Sequence, residues 1–102
     1  MENEQKQQKT GEIVKFRKPF QFDGRTYEEL VLDLDSLTGD DLIACERMVQ
    51  ASQDMSYMKE TSKSYLAAVA ARSAKVPVEM MSKLPAREFT KVTVKVQTFL
   101  LG

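Results

Sequence analysis

The sequence predicts an α+β fold, an N-terminal β-hairpin packed on a C-terminal bundle of three to four helices. Three observations carry that prediction. Apolar residues alternate with polar ones along the first third, and Asp23-Gly24 interrupts the alternation. Beyond Thr38 apolar residues recur at helical spacing instead, and Pro77 and Pro85 divide that half into segments.

Residues 1–10 hold three Gln and four charges with no apolar residue after Met1, so nothing there repays the entropy of ordering. Residues 1–11 are expected to be a disordered tail and residues 12–102 a single domain, with the hairpin over 12–34 and the helical part over 38–101. In the first strand Val14, Phe16, Phe20 and Phe22 share one face, with Ile13, Lys15, Arg17 and Gln21 on the other. Asp23-Gly24 suits a type I′ turn, because both central positions need positive φ. A strict two-residue register would set Lys15 against Leu32. One extra residue near Glu28-Glu29 corrects this, pairing Phe16 with Leu32, Val14 with Leu34 and Lys15 with Asp33. Pro19 has no N–H for a ladder and belongs at an edge or non-bonded position.

Thr38-Gly39-Asp40-Asp41 reads as a helix start, with the Thr38 hydroxyl as cap and two carboxylates at the positive end of the dipole. The first helix runs to Ala51, its stripe being Leu42, Cys45, Met48 and Val49. A polar connection leads to a second helix from about Met58 to Val76, whose run Ala67-Ala68-Val69-Ala70-Ala71 permits close helix contact. Pro77 and Pro85 each suit a first helical position, giving a short helix over 77–84 and a last helix over 85–101. Residues 91–96 alternate like a strand. The longer recurrence of Pro85, Phe89, Val92, Val96 and Phe99 favours helix.

The 102 residues are 42% hydrophobic, with 15 basic and 15 acidic side chains, one cysteine, no histidine and no tryptophan. That length suits one modest core and excludes a multi-domain enzyme. Without histidine, Ser-His-Asp triads and Cys-His nucleophiles are impossible, and Cys45 alone makes no internal disulfide. No stretch approaches the roughly 20 apolar residues of a membrane span, and the start lacks an apolar signal region, so a cytoplasmic product is expected. Net charge is zero but uneven: residues 23–41 are acidic and the half beyond residue 60 is basic.

Chemical motifs are mostly absent: no Gly-rich phosphate loop, CxxC pair or EF-hand spacing occurs, and no cofactor or metal is expected. Asp33, Asp35, Asp40 and Asp41 suit turn and cap roles better than a cation site or an acid–base pair. Cys45, on an apolar stripe, reads as a buried small hydrophobe rather than a reactive thiol. Lys83, Arg87, Lys91 and Lys95 recur every four residues. They form either a phosphate-contacting line or the solvated face of the last helix, and without aromatic interleaving the second reading is favoured.

Methionine is in excess through the helical half. Thioethers pack irregular gaps and also let a surface accept several apolar partners. Packing is the default reading, but Met55, Tyr57 and Met58 sit in an otherwise polar connection. With Met80 and Met81 they are the candidate partner-binding residues.

Residues 16–20, Phe22-Asp23-Gly24-Arg25-Thr26-Tyr27-Glu28-Glu29-Leu30-Val31-Leu32, Leu37-Thr38-Gly39-Asp40-Asp41-Leu42, Leu84-Pro85 and Phe99-Leu100 together resemble the short tail assembly chaperones of contractile-tailed phages and prophages. The resemblance covers residues 13–101. Members of that family often have Pro where this chain has Leu37, and Asp near the position of Glu88, so no residue-level site is carried over. The resemblance implies a non-enzymatic assembly factor that engages the tape-measure protein and keeps it soluble while tube subunits polymerise, in the host bacterial cytoplasm. It also implies a longer, frameshifted form of the chain and the tail tube protein as further partners, with a homo-oligomer left open, and no membrane or nucleic-acid partner. Two alternatives of other classes are a structural subunit of a virion and a small DNA-binding regulator.

Overall fold

The computed structural model describes residues 11–51 and 62–102. Strands β1 (Glu12–Phe22) and β2 (Arg25–Leu32) are followed by a 3-10 turn (Leu34–Ser36). Among the described residues four helices complete the order: α1 (Gly39–Ala51), α2 (Lys63–Ala74), α3 (Val78–Lys83) and α4 (Ala86–Leu101). This is the α+β arrangement the sequence predicts. The expected tail over 1–10 and the expected start of the second helix near Met58 lie outside the described residues.

β1 and β2 form a two-stranded antiparallel sheet closed by the Asp23-Gly24 turn, where φ is 52° and 79° respectively. Phe22 pairs with Arg25 and Phe20 with Tyr27, as a two-residue turn requires. Further on the register departs from the predicted one. Lys15 pairs with Glu29, Val14 with Leu30, Ile13 with Val31 and Glu12 with Leu32, so the irregularity lies on β1 between Lys15 and Phe20 and not at Glu28-Glu29. The pairs Phe16–Leu32, Val14–Leu34 and Lys15–Asp33 do not form, and β2 stops at Leu32. Any shift by an odd number of residues realigns the apolar faces, and parity alone names neither the strand nor the size. Pro19, which has no N–H to place in a ladder, lies among the extra residues. The bulge also folds Phe16 towards Phe20, whose rings meet edge to face at 6.2 Å. Along an unbroken strand, residues four apart are separated by roughly 13 Å.

The base of the sheet is held to the helices by the Asp33 N–H, which donates to the Ser73 carbonyl at 3.2 Å. Gly11 lies so close to β2 that a Cβ there would collide with the Leu32 carbonyl.

α1 starts at a reciprocal cap. The Thr38 N–H donates to Asp41 Oδ2 at 2.8 Å, and the Asp41 N–H faces Thr38 Oγ1 at 3.4 Å. Cys45 and Val49 are buried, but Met48 is 45% exposed and leaves the predicted stripe.

α2 is the centre of the molecule and packs against α1, α3, α4 and β2. Ser62 caps it, accepting from the Tyr65 N–H, and Tyr65, Leu66, Ala67, Ala68, Val69, Ala70 and Ala71 are all buried. Small side chains on every face let four neighbours approach at once. The helix ends at Ala74, before Pro77. Lys75 turns left-handed at φ 59°, and the Val76 N–H donates to the Ala71 carbonyl at 3.0 Å while that of Lys75 donates to Arg72. These bonds form a Schellman motif.

Pro77 and Pro85 each stand one residue before a helix, capping α3 and α4 from outside the first turn. The ambiguous stretch 91–96 is helical. Val92 and Val96 are fully buried and Phe89 is partly so, whereas Phe99 is 42% exposed and leaves the predicted stripe.

Candidate functional site

The bulge in β1 leaves backbone groups that the hairpin ladder does not take, and α4 satisfies them. The Arg17 N–H donates to Glu88 Oε2 at 2.9 Å, and Lys91 Nζ donates to the Lys15 carbonyl at 2.6 Å. Glu88 Oε1 receives no directed hydrogen bond among the described residues, but Lys91 Nζ stands 2.9 Å away and balances its charge. Glu88 is buried, only 4% exposed. The Arg17 N–H and then the Lys91 ammonium hold its carboxyl below the usual glutamate range. One helical turn further, Lys95 Nζ pairs with Glu12 Oε1 at 3.2 Å. Three side chains of α4 therefore bind β1 along its irregular edge.

Beside this seam, between the first residues of β1 and the second half of α4, lies a groove of about 700 Å³. Its lining includes Ile13, Lys15, Lys91, Val94, Lys95 and Phe99. Ile13, Val94 and Phe99 are 37%, 50% and 42% exposed. Scattered exposed apolar residues are ordinary, whereas these three converge on one concavity. Its cations come from both walls, Lys15 on the strand and Lys91 and Lys95 on the helix.

Of the residues expected to meet a partner, Met55, Tyr57 and Met58 lie outside the described residues. Met80 and Met81 lie on α3 at 0% and 1% exposure, inside the core. A partner reaches them only if α3 moves. The groove escaped the reading by residue type, because Ile13, Val94 and Phe99 are far apart in sequence and carry no methionine. The alternation that sets Ile13 on the outward face of the first strand is the one signal the sequence offers.

The basic line is divided by the fold. Lys91 and Lys95 are engaged with β1, so they are not simply a solvated row. Asp41 is tied to Arg72 at 2.7 Å and to Thr38, and the Arg72 guanidinium, more than any other group, holds its carboxyl below the usual aspartate range. Cys45 is 1% exposed, and burial pushes its thiol up. Among the described residues no group of three or more Cys, Asp or Glu side chains converges to hold a metal ion. No helix of the described residues is long and apolar enough to cross a membrane.

No curated protein and no solved structure matches the chain. The family model for phage tail assembly chaperone proteins, E, or 41 or 14, matches residues 14–101, which takes in all but the first two residues of the hairpin, the bulge and the four described helices. The chain therefore belongs to the phage tail assembly chaperone family.

Proposed function

We propose that the protein is a non-enzymatic chaperone that binds the tape-measure protein in the host cytoplasm and keeps it soluble until tube subunits polymerise around it. The family match over residues 14–101 carries this reading. The physical problem is plain. A long protein with apolar stripes self-associates through them when its tube is not yet built, and a small partner that covers the stripes lowers the amount of exposed surface. Tube subunits must later displace the chaperone, so each contact is weak and repeated along the chain. Met55, Tyr57 and Met58 remain candidate contacts on chemical grounds, since flexible thioethers adapt to varied apolar partners. A longer, frameshifted form of the chain and the tail tube protein are further partners in this scheme.

The test is co-expression with the large tape-measure-like protein encoded downstream, measuring the soluble fraction of that protein and its recovery with the chaperone. A soluble complex that forms with the chaperone and is lost without it is the expected outcome. If the large protein stays in the pellet and co-expression of the longer form does not rescue it, the reading fails.

A further inference from the structure

We propose that the protein pairs with a second copy of itself through the free edge of β2, joining two hairpins into one four-stranded antiparallel sheet. The contact is made by residues 25–29 and does not depend on the tape-measure reading above. The two edges of the hairpin differ. That of β1 is interrupted by Pro19 and the bulge, and α4 takes the Arg17 N–H and the Lys15 carbonyl. β2 holds no proline and no extra residue, and among the described residues β1 is its one strand partner. The chain is fastened just past β2, where the Asp33 N–H donates to Ser73 of α2, but no described residue outside the hairpin bonds the backbone of Thr26 or Glu28. Arg25, Thr26 and Glu28 are exposed, and Tyr27 and Glu29 are half-buried.

The hairpin ladder fixes which groups face outward. Arg25 pairs with Phe22 beside the two-residue turn and Tyr27 with Phe20, so these exchange bonds within the hairpin, and the N–H and C=O of Thr26 and Glu28 point to the free edge. Two copies of one edge bond only where outward groups meet outward groups, which places the two-fold axis on a residue and not between two. Charge then chooses the residue. With the axis on Glu28 or on Glu29, that glutamate stands against itself, and like charges directly opposite repel. An axis on Thr26 reaches the Asp23-Gly24 turn after one residue, and an axis on Leu30 carries the second copy to Asp33, where α2 already holds the chain. With the axis on Tyr27 the pairs are favourable. Arg25 of each copy faces Glu29 of the other, the two Tyr27 side chains meet between these ion pairs, and Thr26 exchanges main-chain bonds with Glu28 of the second copy.

Arg25-Thr26-Tyr27-Glu28-Glu29 is thus complementary to its own reversal, and that property selects a second copy as the occupant over a foreign strand. Acidic residues on an edge commonly guard it against pairing. Here they forbid the registers on Glu28 and Glu29 and leave the one on Tyr27. Glu29 keeps its place opposite Lys15 in the hairpin. A carboxylate has acceptor sites for several donors, so Arg25 of the second copy adds to that arrangement without displacing it. Five residues a side, 25–29, make a small interface, and the dimer is therefore weak and concentration-dependent.

The experiment is sedimentation equilibrium of the full chain from roughly 1 μM to 1 mM, with amide hydrogen exchange followed by NMR at both ends of that range. Wild type should pass from monomer to dimer, and the Thr26 and Glu28 amides should exchange about fivefold more slowly in the concentrated sample. Arg25→Glu should weaken the dimer about tenfold, since it turns both cross-strand ion pairs into repulsions. Glu29→Arg should do the same. An equimolar mixture of these two variants should recover the wild-type affinity, because each cation then meets a carboxylate of the other chain. Thr26→Pro removes an outward N–H that the hairpin does not use, and should abolish the dimer at an unchanged unfolding midpoint. Wild type that stays monomeric throughout would overturn the proposal, as would a dimer that folded Arg25→Glu and Thr26→Pro chains form as tightly as wild type. Protection of Thr26 and Glu28 that arises only when another protein of the assembly is added would give the edge to that protein and overturn self-pairing.

Discussion

Glu88 does more for this fold than its single charge suggests. Its carboxylate takes the Arg17 N–H that the bulge frees, and its Lys91 partner takes the Lys15 carbonyl, so one i,i+3 pair closes a gap in a strand more than 70 residues away in sequence. Its pKa is lowered on folding. Protonation therefore favours the unfolded chain, and the stability it contributes is full above the ordinary glutamate range and lost as pH falls through the lowered value. Asp41, lowered mainly by Arg72, adds to the same loss in the same direction. Urea midpoints followed from roughly pH 7 to about pH 3 should fall on acidification, and Glu88→Gln should show a lower midpoint at neutral pH with a shallower acid decline. An unchanged pH profile in Glu88→Gln would remove the carboxylate from this role. Lys75 shows strain of another kind. It holds a left-handed conformation that glycine adopts freely, so Lys75→Gly is expected to raise stability by about 0.5 kcal/mol, measured as a higher urea midpoint at unchanged m. Both positions were hard to read from sequence. Glu88 looks like any acidic first-turn residue, and its partner exists only because of a bulge elsewhere.

The elements differ in how openly the sequence declares them. The Asp23-Gly24 turn and the Thr38 cap were legible because their chemistry is local and set by two to four adjacent residues. α4 was legible once sixteen residues were weighed together, since Val92 and Val96 at zero exposure keep the helical spacing while the valine alternation runs through only part of it. The register of β1 was not legible. Parity demanded an odd shift, but its size and strand depend on α4 supplying acceptors and donors to the disrupted segment, which is a tertiary fact. α2 was half legible: its alanines announced close packing, but burial on all faces follows from four neighbours that periodicity does not count. That packing leaves little room. Ala70→Leu, at zero exposure, is expected to cost roughly 1–3 kcal/mol by overfilling the centre, read as a lower urea midpoint. A neutral result would mean that α2 sits in looser surroundings than the structure shows.

At the scale of the whole molecule, zero net charge conceals an ordered separation. β1 and α4 carry a surplus of cations and the run over residues 23–41 a surplus of acids, and the two meet along the hairpin, where Lys15 pairs with Glu29. The groove between β1 and α4 is not legible by residue type, because it assembles from positions near both ends of the chain and from apolar residues with no chemical signature. A chaperone of the proposed kind would leave when the tube displaces it. That departure separates an assembly factor from a component of the particle. The most direct measurement is quantitative mass spectrometry of purified phage tails, comparing this chain with the tube subunit. The account expects the chain to be abundant in the lysate of assembling cells and absent from finished tails, whereas recovery in fixed proportion to the tube subunit would contradict it and make the protein a structural subunit.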